Sequence, residues 1–222
     1  QAGETTMPKK FTENADEKTD DNKTFILVGS DEKSDDEFRV FGIVGDINEE
    51  KSSEAIYSLM HFHRTREIEQ LSDPADVNSE IIKTVRPIQF ILSTHGGSAE
   101  EMFGIYDVMR NVKKDCDIIT RGLGKVMSAG VLLLAAGTKG QREIGRNCRV
   151  MIHSAVGGYA GSLHNLENEM EEVRYIQEQY IKALVDETNM TTRQLKKMLE
   201  KKVNVYLSAE EAVKLGIADL II

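Results

Sequence analysis

The sequence predicts an α/β fold, a mostly parallel sheet flanked by helices. Apolar runs of strand length alternate with longer amphipathic stretches from residue 38 to the end. A glycine pair, Gly96-Gly97, closes one apolar run just where a helix signal begins. The chain has 222 residues, 40% of them hydrophobic and 29% charged, which is enough for one sizeable buried core.

The elements follow in order. Residues 1–37 are polar and acidic apart from Phe25, Ile26, Leu27 and Val28. Such a segment cannot bury enough surface to offset its ordering entropy, so it is expected to be mobile. Residues 1–6, ahead of Met7, are expected to be a short remnant foreign to the fold. Residues 38–45 form a buried strand. Residues 48–71 form a helix capped by Asn48, with Glu49 and Glu50 in its first turn and Ala55, Ile56, Leu59, Met60 and His63 along one side. A linker spans 72–79. A second strand over 87–93 feeds Thr94-His95-Gly96-Gly97, and Ser98 with Glu101 makes a capping box for a helix ending near Val112.

A third, short strand covers 117–120. A helix of small and apolar residues starts at Ser128 and stops at Gly137, and a strand covers 149–153. The glycine-rich piece from Val156 to Gly161 leads into a long helix over 162–187. Its apolar stripe is Leu163, Leu166, Met170, Val173, Ile176, Tyr180 and Leu184. A helix over 192–202, an extended piece over 203–207, a short helix opened by Ser208 and Glu211, and a strand over 217–222 complete the chain. There is no internal repeat.

Composition removes several classes of function. A net charge of -9 leaves no basic excess to release counterions from nucleic acid. Lys196, Lys197, Lys201 and Lys202 cluster locally, which reads as a solvated helix face. No apolar run approaches the roughly 18 residues that cross a bilayer, and the N-terminus lacks the apolar core of a secretory signal, so no membrane partner is expected. Cys116 and Cys148 make no disulfide framework and fit a reducing compartment as packed small residues. His61 and His63 are two apart on a helix and do not share a face, and His164 opens the long helix. No metal-ligand spacing joins them, so neither metal nor cofactor is expected.

The chemistry concentrates between Lys125 and His153. Ser128 opens a small-residue helix and His153 ends an apolar strand, the parts of a nucleophile and its base. Gly96 and Gly97 could turn backbone N–H groups toward an oxyanion. Taken singly, Ser128 is an ordinary helix cap and His153 a packed histidine; the pair, with Gly96-Gly97 upstream, favours a nucleophile and its base.

The stretch from Gly96 to Gly158 resembles the caseinolytic serine proteases of the ClpP type. The resemblance rests on ordered blocks: His95-Gly96-Gly97, Ile105-Tyr106-Asp107, Ser128-Ala129-Gly130, Leu134-Ala135-Ala136-Gly137 and Arg149-Val150-Met151-Ile152-His153. Leu207-Ser208-Ala209-Glu210-Glu211-Ala212 and Gly216-Ile217-Ala218-Asp219 follow downstream. The similarity runs over residues 38–222, the expected protease domain, and does not extend clearly into 1–37.

The resemblance implies a ClpP/crotonase-like spiral of mostly parallel strands, with the 162–187 helix as a protruding handle. It implies serine endopeptidase cleavage of unfolded polypeptides inside a chamber of two stacked seven-membered rings. These would be homo-oligomeric or mixed with another subunit, fed by an ATP-driven AAA+ unfoldase, and cytoplasmic, organellar or virus-encoded. The subunit itself has no Gly-x-x-x-x-Gly-Lys-Ser/Thr loop for ATP. Residues 1–37 would lie where the family has axial pore loops. Ser128 would be the nucleophile, His153 the base, and the N–H groups of Gly97 and Ala129 the oxyanion hole.

Two positions depart from the family pattern. The third catalytic residue is an Asp four positions before the Ser-Ala-Glu helix start, where this chain has Asn204. An Asn oxygen can orient the imidazole but supplies no charge to the imidazolium. Asn204 is therefore expected to slow the enzyme, unless Glu200 or another acid reaches the histidine. His95 replaces the family's Pro and reads as a turn residue. Two rival functions are a ring subunit with little or no turnover, which Asn204 favours, and a crotonase-fold acyl-CoA enzyme, which has no need of Ser128 and His153 at this spacing.

Overall fold

The computed structural model describes residues 38–158, 160, 162–200 and 204–222. The expectations for residues 1–37, with the apolar patch at 25–28, for Tyr159 and Gly161, and for Lys201 and Lys202 lie outside these.

Strand β1 (Val40–Ile47) opens the sheet, and helix α1 (Glu49–Arg64) follows. Asn48 caps α1 by accepting from the Lys51 N–H at 3.0 Å. Its inward face is Ala55, Ser58, Leu59 and Phe62, whereas Met60 is 50% exposed. The helix predicted through residue 71 stops seven residues early. The reason is tertiary: Arg39 donates to the Phe62 and Thr65 carbonyls and Arg86 donates to the Thr65 carbonyl, drawing off the acceptors that a further turn would use. The chain then forms β2 (Glu67–Leu71), which pairs antiparallel with β3 (Ile81–Val85) across the predicted linker as a separate hairpin.

Strand β4 (Ile88–Gly97) runs parallel to β1, and α2 (Ala99–Val112) returns across the sheet. Ser98 caps α2 by accepting from the Glu101 N–H at 3.1 Å, but the Ser98 N–H donates to the Ile47 carbonyl at 3.0 Å rather than to the Glu101 side chain, so the predicted capping box is half formed. Strand β5 (Ile118–Met127) is much longer than the strand predicted over 117–120. It passes through Gly122-Leu123-Gly124 with a slip in register: Leu92 faces Gly122, but Thr94 faces Val126. The slip lets β5 change neighbours, pairing first with β6 (Glu143–Ile144) and then with β7 (Arg149–Ile152).

Helix α3 (Ala129–Ala135) lies wholly buried against β4 and β5. Gly130 is what lets it approach so closely, because a Cβ there would stand 2.4 Å from the Thr94 methyl. Helix α4 (Leu163–Glu187), α5 (Thr192–Glu200), β8 (Val205–Leu207), α6 (Ala209–Lys214) and β9 (Leu220–Ile221) complete the fold. Ser208 and Glu211 form the full capping box predicted for α6. In the described residues the sheet runs β1-β4-β5-β6-β9, with β7 and β8 branching from β5, and every pair is parallel except β7–β8. This is the predicted α/β architecture. Cys116 and Cys148 are free thiols in the core.

Helix α4 is half inside and half outside. Its buried residues begin at Tyr180, while Leu163 is 67% and Met170 55% exposed. Its inner end rests on a buried polar cluster. Glu187 accepts from Lys113 at 2.9 Å and from the Tyr106 hydroxyl at 3.1 Å. Arg142 donates to the carbonyls of Glu187 and Ala135 and to both oxygens of Asp219.

Burial pushes the Asp219 carboxyl upward. The Arg142 hydrogen bonds and charge and the Gly140 N–H outweigh it, so the net position is below the ordinary carboxylate value. A depressed carboxyl contributes stability above its unfolded value of about 3.9, which is lost as pH falls through the lower folded value. Asp219→Asn is expected to lower stability at neutral pH by about 2–3 kcal/mol by leaving Arg142 unmatched. It should also flatten the acid limb of the stability curve. Thermal unfolding across the acid range, wild type beside variant, reads both.

Candidate active site

Strand β5 ends at Met127 and α3 begins at Ala129, leaving Ser128 alone at the turn. Its φ of 54° and ψ of -122° make it the one non-glycine residue with positive φ among the described residues. Such backbone costs about 1–3 kcal/mol and persists only where neighbours hold it. A sharp strand-to-helix turn of this kind lifts a serine hydroxyl clear of the sheet. The holding contacts are specific. The Ser128 N–H donates to the Met151 carbonyl at 2.7 Å, and the Ser128 carbonyl accepts from the Val131 N–H at 3.0 Å and the Tyr180 hydroxyl at 2.9 Å. The hydroxyl makes no helix-capping bond, so the ordinary cap reading of Ser128 fails.

The hydroxyl meets His153 instead, with 2.7 Å between Oγ and Nε2. In the tautomer with its proton on Nδ1, the imidazole accepts the hydroxyl hydrogen at Nε2. Strand β7 explains the encounter. It lies beside the last residues of β5, pairing Met127 with Met151, so the residue just past each strand end emerges at the same edge.

Gly96 and Gly97 close the other side. A Cβ at Gly96 would stand 2.6 Å from the Ser128 Cβ, and one at Gly97 would stand 2.1 Å from the Ile47 carbonyl oxygen. Only glycine permits both approaches. Gly97 and Ala129 line the same cleft as Ser128 and His153. As the first residue of α3, Ala129 has an N–H with no intrahelical acceptor.

The cleft has a volume of about 810 Å³. Leu166, Met170, Val173 and Ile176 of α4 form much of its far wall, with Val156 and Met102. The apolar stripe of α4 is thus divided: its inner end packs in the core and its outer part faces the cleft. Sequence reasoning placed Tyr180 in that stripe as an apolar residue and missed the bond from its hydroxyl to Ser128.

Asn204 is exposed and makes no hydrogen bond to His153 among the described residues. Strand pairing nevertheless brings it close in register. Ile152 faces Val205 as the last pair of β7–β8, so continuing the ladder by one step would set His153 against Asn204. Opposed residues of an antiparallel pair leave the same face. Glu200 borders a surface depression with Arg193, Lys196 and Lys197 that shares no lining residue with the cleft. His95 is exposed and does not line the cleft. His63 pairs with Asp115 at 2.6 Å, and that hydrogen bond, with the nearby charges of His63 and Arg66, holds the Asp115 carboxyl below its ordinary value. Among the described residues no group of three His, Cys, Asp or Glu could hold a metal ion.

Comparison with known proteins converges on one family. The family model described as Clp protease matches residues 77–222. The ATP-dependent Clp protease proteolytic subunit 1 of Prochlorococcus marinus subsp. pastoris is 34% identical over 137 residues, covering 62% of this chain and 68% of that protein. A subunit 2 from another Prochlorococcus marinus strain is 36% identical over 138 residues, 62% of this chain and 67% of its own. A subunit 2 from a Synechococcus species is 31% identical over 137 residues, with 62% and 68% covered.

Proposed function

The chain belongs to the Clp protease family of peptidases, and on that premise we propose that it is a serine-type endopeptidase subunit acting through Ser128 and His153. The observation that carries the reading is the 2.7 Å contact between the two side chains, with Ser128 held in a strained turn. Ser128 Oγ attacks the scissile carbonyl as His153 Nε2 takes its proton. The Gly97 and Ala129 N–H groups receive the charge that develops on the carbonyl oxygen. His153 then protonates the leaving amine, and water, activated by the same imidazole, releases the acyl group from Ser128. Asn204 is the orienting third residue, able to accept the Nδ1–H but bringing no charge.

The remaining parts of the proposal follow the family. The substrate is an unfolded polypeptide, and the apolar α4 wall suits a chain whose side chains are already exposed. The relatives' names describe proteolytic subunits of an ATP-dependent protease. This chain would likewise work in an oligomer with a Clp-type AAA+ ATPase, as two stacked heptameric rings, homomeric or mixed, in the cytoplasm. Leu163 and Tyr175 on the outer half of α4, exposed and outside the cleft lining, support assembly as apolar surface left uncovered in the protomer. Residues 38–222 would be the protease domain and residues 1–37 its pore-facing segment. Among the described residues no helix is long and apolar enough to cross a membrane.

The missing bond between Asn204 and His153 favours one other reading, a ring subunit of low turnover. Reaction of the purified protein with a fluorophosphonate, followed by mass mapping, tests the choice. An adduct on Ser128 together with hydrolysis of a fluorogenic peptide supports the peptidase; an unmodified Ser128 supports the structural subunit.

A further inference from the structure

We propose that Tyr180 is a positioning residue for the oxyanion hole, acting through the peptide bond between Ser128 and Ala129. This rests on the reading of Ser128 as nucleophile and Ala129 as an oxyanion donor. The Tyr180 ring is buried, at 8% exposure, and its hydroxyl has a defined acceptor, the Ser128 carbonyl at 2.9 Å. That carbonyl belongs to the same planar unit as the Ala129 N–H. In a trans peptide the C=O and the following N–H point in opposite directions, so fixing one aims the other.

The Ser128 φ and ψ are unfavourable, which leaves this peptide more ready to rotate than one in a relaxed turn. Two donors grip its oxygen, the Val131 N–H from within α3 and the Tyr180 hydroxyl from α4. The first is a local bond of the helix start. The second comes from another element, 52 residues away in sequence. Donation to the carbonyl also polarises the peptide and strengthens its N–H as a donor. Burial drives the Tyr180 phenol far above its ordinary value, so it remains a neutral O–H donor throughout the working pH range.

Tyr180→Phe tests this, because it keeps the ring and removes only the donor. The kcat for a short peptide is expected to fall about tenfold to a hundredfold, with KM unchanged, against the roughly hundredfold to thousandfold loss when an oxyanion donor is removed outright. The rate of fluorophosphonate labelling at Ser128 should fall by a similar factor, since its phosphoryl oxygen uses the same donors. Tyr106→Phe is the control. It deletes the hydroxyl of another buried tyrosine, one that bonds Glu187 rather than Ser128, and its labelling rate is expected to stay at the wild-type value.

Equal rates for Tyr180→Phe and wild type would overturn the proposal. So would equal slowing in both variants, which would mark a loss of general packing, or a loss confined to KM. A wild type that does not label at all would instead bring down the assignment of Ser128 on which the proposal stands.

Discussion

Ser128→Ala is expected to abolish peptide hydrolysis, with kcat falling about a millionfold, as removal of the serine does in a serine protease. The loss should be this large because the hydroxyl and the imidazole act as a unit, and the residual rate then comes only from binding and the oxyanion donors. The fold should survive. The side chain makes no capping bond, its contact is with His153 at the cleft, and the backbone bonds to Met151, Val131 and Tyr180 do not involve it. Unchanged thermal unfolding with lost turnover and lost labelling is the expected pattern. Residual hydrolysis above a tenth of wild type would place the nucleophile elsewhere.

The second large effect runs the other way. Asn204→Asp is expected to raise kcat, by up to about 10⁴ if the carboxylate reaches Nδ1, the reverse of the loss seen when a triad Asp becomes Asn. The argument is one of register and charge. Residue 204 lies one step beyond the last pair, Ile152–Val205, where a continued ladder would oppose it to His153. A neutral amide there can fix the ring, whereas only a carboxylate also stabilises the imidazolium that forms as Ser128 attacks. KM should change little. Steady-state kinetics on a short peptide checks the effect, and an unaltered kcat would mean that residue 204 does not act on the imidazole.

Much of this site was legible in the sequence, and for a physical reason. Ser128 and His153 each follow a strand, and adjacent parallel strands deliver their ends to one edge. Two strand ends with the right residue types therefore imply proximity. Gly96 and Gly97 were legible because a close backbone approach leaves room for nothing larger. The missed features depended on partners distant in sequence. The end of α1 at Arg64 is set by Arg39 and Arg86, which no local periodicity reveals. Strand β5 was read as short because Gly122 and Gly124 resemble a loop; they are where the strand changes neighbours. Tyr180 fits an apolar helical stripe by spacing, and its bond to Ser128 is made by one oxygen atom that spacing does not report.

The slip in β5 has a consequence for how the chain can be altered. Side chains on a strand alternate between faces, so each residue added or deleted between Gly122 and Met127 reverses the side on which everything after it emerges. The stretch behaves as a ratchet with two settings. A single-residue deletion there would carry the Ser128 hydroxyl to the far surface of the sheet. Tolerated length changes in these few residues should therefore come in pairs.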